Sequence, residues 1–225
     1  MSGNDFVFRR ERDGSLEFVG AFEDLYKAIE DPWAQSVPDE RMGAYYEQSR
    51  NRILSLLRGF GGVEHLVELG CGLGQVCAMI HEAGVASRVT GLDVSITAIE
   101  KARKRHPNLE FDVADARKDW PASIGRGFDA ILINQMLWYI LEDLDAVFSR
   151  TVSLLRPNGR LIVSQAFIQD NQQYGADIID GFQGLVRYVA SIDPKIAKVV
   201  YAGLLEDPDL PFDDGIVVLR RYDQT

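Results

Sequence analysis

The sequence predicts an α/β fold with a doubly wound, mostly parallel sheet of seven strands. Apolar segments of strand length alternate with amphipathic segments of helix length between residues 61 and 165, which is typical of βαβ units. The segment 128–134 is nearly all apolar, as expected for a strand in the middle of a parallel sheet that is covered on both faces. Two strand-like segments, 196–205 and 215–222, predict a closing antiparallel pair.

The order of elements follows from apolar spacing and from residues that begin or end helices. We expect parallel strands at 65–69, 87–93, 109–113, 128–134 and 160–165. We expect helices at 75–83, 96–106, 141–156 and 174–192. Ser95 is a suitable N-cap, whereas Gly84, Pro107 and the turn at 157–159 are suited to end helices.

The first 60 residues predict a helical cap on this α/β domain. Residues 1–20 are polar and Arg-rich, which indicates either a solvated surface or a lid. A helix at 22–30 ends before Pro32, and a longer amphipathic helix covers 39–58. The side chains expected on one side of the longer helix are Met42, Tyr46, Ser49, Ile53, Leu56 and Leu57. We therefore expect a cap at 1–60 and a domain at 61–225 with a helical insertion around 167–195.

Composition narrows the class of protein. A chain of 225 residues with 46% hydrophobic and 26% charged residues fits one soluble domain with additions. A net charge of −10 argues against non-specific binding of long nucleic acid, which needs a basic surface. The two cysteines, Cys71 and Cys77, exclude a disulfide framework and a cysteine-based zinc site. No signal peptide or membrane-spanning run is visible, so we expect a cytoplasmic location.

A glycine-rich turn follows the first parallel strand. The run Val67-Glu68-Leu69-Gly70-Cys71-Gly72-Leu73-Gly74 ends a strand in three alternate glycines and leads directly into a helix. Glycines let the backbone turn sharply and approach a ligand, and the helix N-terminus offers free N–H groups to an anionic group. A dinucleotide fingerprint would need Gly or Ala at position 77 or 75, where the chain has Cys77 or Gln75.

The acid-x-Gly-x-Gly-x-Gly pattern resembles motif I of the class I S-adenosylmethionine-dependent methyltransferases, and the resemblance covers roughly residues 60–165. It implies that the glycine loop holds the methionine end of the cofactor. It also implies that Asp93, at the end of the second strand, binds the ribose and that Asp115 binds the adenine. The residues expected to contact the cofactor are Tyr46, Arg50, Glu68, Gly70, Cys71, Gly72, Gly74, Asp93, Val94, Asp115, Ala116, Asn134 and Gln135. Arg50 alternatively extends along the helix surface to water.

A second resemblance suggests the acceptor. The segment Asp31-Pro32-Trp33, followed by Tyr46-Glu47 and Arg50, is similar to the N-terminal pattern of the NodS-like methyltransferases, which act on the amino group of chitooligosaccharides. The chain departs from that group at Asn134-Gln135, where the group has Ser-Glu, and lacks histidines at 165–174. The resemblance implies methyl transfer to a nitrogen or oxygen of a small, sugar-like or nucleotide-sugar acceptor.

The chemistry requires few catalytic groups. A sulfonium carries its own leaving group, so the protein must mainly align the acceptor and exclude water, and no metal is expected. His65, His81 and His106 are expected away from the strand ends, in structural or exposed positions. The groups left to orient or deprotonate the acceptor are Tyr46, Glu47, Tyr139 and Asp170. The residues expected to contact the acceptor are Trp33, Trp138, Asp170 and Tyr174, although core packing explains either tryptophan equally well.

Two other functions remain open from the residues. The first is methylation of a protein or nucleic acid, which the acidic balance disfavours for nucleic acid. The second is non-catalytic binding of S-adenosylmethionine by a partner protein, which the missing histidine base leaves open. For the favoured small-molecule enzyme we expect no nucleic-acid or membrane partner and a monomer or homodimer.

Overall fold

A computed structural model describes residues 3–36, 39–169 and 172–222, and it contains a seven-stranded sheet and a separate two-stranded sheet. The strands are β1 (Phe8–Arg10), β2 (Leu16–Phe18), β3 (Val63–Leu69), β4 (Ala86–Asp93), β5 (Glu110–Val113), β6 (Phe128–Asn134), β7 (Leu155–Phe167), β8 (Ala197–Leu205) and β9 (Asp213–Arg221). The large sheet has the order β5-β4-β3-β6-β7-β9-β8. Strands β3 to β7 pair in parallel, and β9 pairs antiparallel with both β7 and β8. The predicted doubly wound, mostly parallel sheet is confirmed.

Six α-helices accompany these strands in the described part of the chain. They are α1 (Phe22–Ala28), α2 (Glu40–Gly59), α3 (Gln75–Glu82), α4 (Ile96–Arg105), α5 (Leu144–Leu154) and α6 (Gly181–Ala190). Short 3₁₀ helices occupy Gly3–Phe6, Ala122–Ile124, Leu137–Tyr139 and Leu141–Asp143. Among the described residues, no helix combines the length and the apolar character that crossing a membrane requires.

The core lies on both faces of the sheet. Six of the seven residues of β6 are buried, which is why this segment is apolar on both of its sides. One buried cluster packs α5 and α6 against the sheet, with Val147 and Leu185 fully buried. A second cluster packs α2, α3 and α4 against the other face, with Ile53, Ile80 and Ile99 fully buried. Because β3 to β7 run parallel, their carboxyl ends all lie at one edge of the sheet.

Two predicted helices are shorter than their apolar spacing suggested. The helix expected at 174–192 is α6 alone, because Gly175 and the first residue of α6, Gly181, adopt positive φ values that a continuous helix does not allow. The helix expected at 141–156 is α5, preceded by a 3₁₀ turn. Strand β7 starts earlier than residue 160 because Leu155 already pairs with Phe128. The next pair is Ala130 with Arg160, so the register shifts across residues 156–159, as in a β-bulge.

Residues 1–20 were not expected to form strands. The structure places β1 and β2 in an antiparallel hairpin, with Phe8 opposite Phe18. Their rings pack on Tyr139, at centroid distances of 6.1 and 6.0 Å, and Phe8 also lies 4.9 Å from Tyr174. Strands of three residues carry too little periodicity to be recognised in a polar segment. The hairpin therefore closes over the residues that follow β6.

Helix α1 docks on α4 through charges at the ends of both helices. The Glu23 carboxylate accepts hydrogen bonds from the Ser95 hydroxyl and from the Thr97 amide at the N-terminus of α4. Partial burial alone would raise the pKa of Glu23, but these hydrogen bonds lower it to about 2. At the other end, the Lys101 ammonium donates to the carbonyls of Tyr26 and Ile29. Each charge lies at the helix end whose partial charge it complements.

Candidate functional site

A cavity of about 400 Å³ opens at the carboxyl ends of β3, β4, β5 and β6. Its wall includes the glycine loop after β3, the residues after β5 and β6, and side chains from α1, α2 and the segment between them. Because the parallel strands all end at this edge, residues far apart in the chain meet here. The predicted cofactor residues that line the cavity are Tyr46, Glu68, Gly70, Cys71, Gly72, Asp93, Val94, Asp115, Ala116, Asn134 and Gln135.

The glycine loop has left-handed backbone conformations that side chains would oppose. Gly70, Gly72 and Gly74 have φ values of 67°, 53° and 82°. A Cβ atom at Gly72 would lie 2.6 Å from the Tyr26 hydroxyl. Gly74 is the N-cap of α3 and is not among the residues that line the cavity, so its expected cofactor contact stays a prediction. A Cβ atom there would meet the Phe111 ring at 2.7 Å.

Asp93 connects the loop to the end of β4. Its carboxylate is buried, and one oxygen accepts the Gly72 amide at 2.9 Å while the other accepts the Ser95 amide at 2.9 Å. Burial raises the pKa of Asp93 from its ordinary value, and these hydrogen bonds oppose that rise. Each carboxylate oxygen keeps a further lone pair, so the group can accept ligand hydroxyls beside the backbone bonds.

Glu68 is the second buried acid of the wall. Burial raises its pKa to about 7, although the Cys77 thiol donates to it at 2.9 Å and Asn134 also hydrogen-bonds it. Burial likewise raises the pKa of the neighbouring Cys71 thiol to about 11. The Asn134 side-chain oxygen is buried without a hydrogen-bond partner among the described residues. The Asn134 oxygen is therefore an acceptor atom without a donor among the described residues, beside the buried acid Glu68.

Asp115 follows β5 and is paired with Arg117. The Arg117 Nε atom lies 2.9 Å from the Asp115 carboxylate, and both side chains line the cavity. Partial burial would raise the pKa of Asp115, but the hydrogen bonds and charge of Arg117 hold it below its usual range. Val94 and Ala116 provide apolar wall between the two strand ends.

Residues between α1 and α2 fold over the glycine loop. The Tyr46 hydroxyl donates to the Trp33 carbonyl at 2.8 Å, and the Trp33 indole donates to the Tyr26 hydroxyl at 3.2 Å. Arg50 donates to the Gln35 side chain at 3.2 Å, and its guanidinium lies 5.1 Å from the centre of the Tyr46 ring. Arg50 is outside the cavity wall itself and has no carboxylate within 4.0 Å in the described ranges.

The predicted acceptor residues are divided between the wall and the core. Tyr139 lines the cavity and stacks between Phe18 and Trp33, each at a centroid distance of 6.0 Å. Burial raises its pKa, and its hydroxyl makes no hydrogen bond to the described residues. Trp138 lines the cavity and donates to the Ala166 carbonyl at 3.3 Å. Tyr174 packs against the hairpin and is not among the residues that line the cavity, so its expected contact with the acceptor stays a prediction.

Three further expectations have different outcomes. Glu47 is exposed on α2 and is not among the residues that line the cavity, so its role as a catalytic group stays a prediction. The rotation of α2 that buries Ser49 and Ile53 turns residue 47 towards solvent. Asp170 lies outside the described residues. None of the three histidines lines the cavity.

A group of polar side chains, which we call the amide network, connects Gln135 to four residues that sequence reasoning missed. Its members are Tyr45, Arg52, Gln135, Gln165 and Asp214. The Gln135 amide donates to the Tyr45 hydroxyl at 2.9 Å, and that hydroxyl donates to the buried Asp214 at 3.4 Å. Arg52 forms an ion pair with Asp214, and Gln165 accepts the Leu137 amide at 2.9 Å. Gln135 itself has a left-handed backbone with φ of 54°, which is uncommon for a non-glycine residue and occurs often at functional sites.

The sheet order, the glycine loop and the acids at the strand ends define the Rossmann-like fold of the class I methyltransferases. Residues 66–159 match the family model described as "Methyltransferase domain". Trans-aconitate 2-methyltransferase of Shigella flexneri serotype 5b is 37% identical over 118 residues, which cover 52% of this chain. The chain thus spans somewhat less than half of that relative, 45% of its length.

Two solved structures share the fold. The N-methyltransferase NodS from Bradyrhizobium japonicum WM9, in complex with S-adenosyl-L-homocysteine, has a TM-score of 0.65 and 18% identity, covering 87% of this chain and 94% of that one. The magnesium protoporphyrin IX methyltransferase from Synechocystis PCC 6803 with bound S-adenosylmethionine has a TM-score of 0.62 and 19% identity, covering 89% and 95%. At such identities the likeness describes the fold and not the acceptor.

Proposed function

We propose that this protein is an S-adenosylmethionine-dependent methyltransferase that acts on a nitrogen or oxygen of a small acceptor by in-line displacement. One observation carries the proposal. The glycine loop, Asp93 and Asp115 line one cavity at the strand ends of a class I methyltransferase fold. The sequence match over residues 66–159 covers these same elements.

The residues present fit the cofactor. Its amino-acid part lies over the loop at 70–74, where a Cβ atom at Gly72 would fill the space next to the Tyr26 hydroxyl. Glu68 and the unpartnered oxygen of Asn134 accept its ammonium group. Arg50, which lacks a carboxylate partner among the described residues, closes with Tyr46 over its carboxylate.

The nucleoside part lies across the next two strand ends. Asp93 accepts hydrogen bonds from the ribose hydroxyls through its remaining lone pairs. Val94 and Ala116 form the apolar wall beside the adenine, and Asp115 accepts from its amino group. The cofactor supplies a methyl group on a positively charged sulfur, which needs no metal to leave. The residues of the chain hold the acceptor in line with the methyl group and exclude water. Such orientation supplies a large part of the rate acceleration.

The cap at 1–60 is proposed to complete the cavity over the domain at 61–225. Phe18, Phe22 and Trp33 from the cap lie around Tyr139 and form an aromatic wall. The segment 167–195 is proposed as an insertion that supports this wall through Tyr174. An aromatic wall of this size keeps water from the reacting atoms.

For the acceptor we favour a sugar-like or nucleotide-sugar molecule. Trp33 and Trp138 offer ring faces to a sugar, and Tyr46 and Tyr139 offer hydroxyls that orient it. A carboxylic acid is a second candidate, because a relative named for trans-aconitate shares 37% identity over 118 residues. Macromolecular acceptors and non-catalytic cofactor binding remain alternatives to both.

The test has two stages. Calorimetry with S-adenosylmethionine and S-adenosylhomocysteine should give micromolar or tighter binding. Mass spectrometry should then detect a methyl group transferred to at least one member of a panel of glucosamine, chitobiose, a uridine-diphosphate amino sugar and trans-aconitate. Failure to bind either nucleoside contradicts the proposal. Binding without transfer to any panel member would favour the non-catalytic alternative.

A further inference from the structure

A row of three cations crosses the large sheet at the end where the parallel strands begin, opposite to the cavity. Arg160 of β7 lies in register with Arg220 of β9, and Arg220 lies in register with Lys198 of β8. Side chains in register on adjacent strands point to the same face of the sheet, and we call these three residues the cation row. The row is about 10 Å wide across three strands, and it lies about 20 Å along β7 from Ala166, which lines the cavity.

No carboxylate of the described residues neutralises the cation row. Within the described ranges, none of its three side chains has an Asp or Glu oxygen within 4.0 Å. Asp129 attracts Arg160, but its carboxylate is already paired with Arg156. The chain contains 34 acidic and 24 basic side chains, so a shortage of carboxylates does not explain the arrangement. Like charges opposite one another on adjacent strands are destabilising, so the row by itself costs stability.

Aromatic rings hold the two ends of the cation row in place. The Arg160 guanidinium lies 4.2 Å from the centre of the Phe60 ring, and the Lys198 ammonium lies 5.4 Å from the centre of the Tyr222 ring. Phe60 is the C-cap of α2, and the partial negative charge of a helix end is about half an elementary charge, which is too little to balance three cations. These contacts therefore position the charges without neutralising them.

The two arginines of the cation row lack electrostatic compensation. The Arg220 Nε atom is buried and has no hydrogen-bond partner among the described residues. A buried donor without an acceptor costs free energy, so Arg220 gains more from a new acceptor than a fully hydrated arginine would. Burial lowers the pKa of Arg160, and the charges of Arg220 and Arg156 lower it further. A guanidinium stays protonated at neutral pH, so Arg160 keeps a positive charge that an anion beside it would stabilise.

We propose that the cation row is a binding site for a small phosphorylated anion, whose oxygens accept hydrogen bonds from Arg160, Arg220 and Lys198. Guanidinium groups match the geometry of phosphate oxygens and bind them in pairs, whereas an ammonium contributes a compact charge. Arg160 and Arg220 are partly exposed and Lys198 is exposed, so an anion can reach the row from solvent.

The dimensions of the cation row select the size of the ligand. A width of about 10 Å suits a single diphosphate or triphosphate group. The net charge of −10 argues against a long polyanion such as nucleic acid. The site is separate from the cavity at the other end of the strands, so binding there does not depend on the methyltransferase function.

Inorganic pyrophosphate tests the site by calorimetry and by NMR. At low ionic strength we expect a dissociation constant below about 1 mM, which should rise at least about tenfold in about 0.5 M salt. The side-chain Nε–H signals of Arg160 and Arg220 should shift on titration. The indole N–H signals of Trp33 and Trp138, which line the cavity, should not shift. Absence of binding, or shifts of the two indole signals at the same pyrophosphate concentrations, overturns the proposal.

Charge variants locate the bound anion. Arg220→Gln removes the middle charge and should weaken pyrophosphate binding by at least about tenfold. Lys198→Gln removes an exposed charge of the row, and Lys104→Gln removes the same charge from an exposed position on α4. We expect Lys198→Gln to weaken binding at least about threefold and Lys104→Gln to weaken it less than about 1.5-fold.

The two lysine variants also decide the result when Arg220→Gln does not fold, because substitutions of exposed side chains are usually well tolerated. Equal pyrophosphate affinities of Lys198→Gln and Lys104→Gln overturn the proposal. Wild-type affinity in a folded Arg220→Gln protein overturns it as well.

Discussion

At the glycine-loop end of the cavity, polar contacts connect adjacent strand ends, whereas in the amide network they connect side chains from four distant segments. Asp93 accepts the Gly72 amide from the loop after the neighbouring strand β3 and the Ser95 amide from the residues that follow its own strand. Asp214 instead contacts Tyr45 and Arg52, both more than 150 residues earlier in the chain. The first arrangement follows from strand order alone, while the second depends on how α2 packs on the sheet.

Removing a member of the amide network should reduce the stability of the protein more than removing an exposed ion pair. Asp214→Ala leaves the partly buried Arg52 and the Tyr45 hydroxyl without their partner, so we expect a loss of about 3–5 kcal/mol in the free energy of unfolding. Urea denaturation measures it. The control is Glu110→Ala, which breaks the exposed pair with Arg88 and should change stability by less than about 1 kcal/mol. Similar losses in both variants would mean that burial does not decide the contribution.

The glycine-loop end should be more sensitive in binding. Asp93→Ala removes the acceptor for the Gly72 and Ser95 amides and for the proposed ribose hydroxyls. We expect the affinity for S-adenosylhomocysteine in calorimetry to fall by more than about a hundredfold, or about 2.7 kcal/mol. Asp119→Ala, at a fully exposed side chain, serves as the control. Micromolar affinity in the Asp93→Ala variant would contradict the proposed contact between this carboxylate and the cofactor.

The buried Glu68 should give the glycine-loop end a pH dependence of stability. Its folded-state pKa of about 7 lies above the ordinary value of 4.5, so the folded protein holds a proton that the unfolded chain has released between these values. The free energy of unfolding should therefore fall as the pH rises from about 4.5 to about 7, by about 3 kcal/mol relative to Glu68→Gln. Urea denaturation of both proteins at pH 5, 6, 7 and 8 measures this difference. A constant difference across the range would contradict it.

The smallest effect separates backbone strain from ligand space by comparing a glycine in the cavity wall with one outside it. Gly84→Ala places a side chain at φ of 62° with no atom within 4 Å, so we expect a loss of about 1–2 kcal/mol in stability and unchanged S-adenosylhomocysteine affinity. Gly72→Ala adds a clash with the Tyr26 hydroxyl to a similar strain and should also weaken this affinity, by about tenfold. Thermal denaturation and calorimetry of both variants compare the two. An unaffected affinity in Gly72→Ala would place the ligand away from the loop.

The sequence alone was sufficient to predict the large sheet and the residues at the glycine-loop end of the cavity. Strand β6 was predicted at its observed bounds, because a strand buried on both faces is expected to be nearly all apolar. The convergence of Glu68, Asp93 and Asp115 on one cavity required only that parallel strands end at the same edge. The cap of α4 by Ser95 and the end of α3 at Gly84 followed from local capping chemistry.

The residues of the amide network could be identified only from the tertiary structure. Helical spacing placed Tyr46 on the predicted side of α2, yet the fully buried tyrosine is Tyr45, because the rotation of a helix about its axis is set by what it packs against. Asp214 lies next to a turn-rich segment, and nothing local shows that the large sheet buries it. Periodicity along the chain reports which face of an element is apolar. The pairing of polar side chains across more than a hundred residues is fixed by the packed fold, which is where the contacts of the amide network arise.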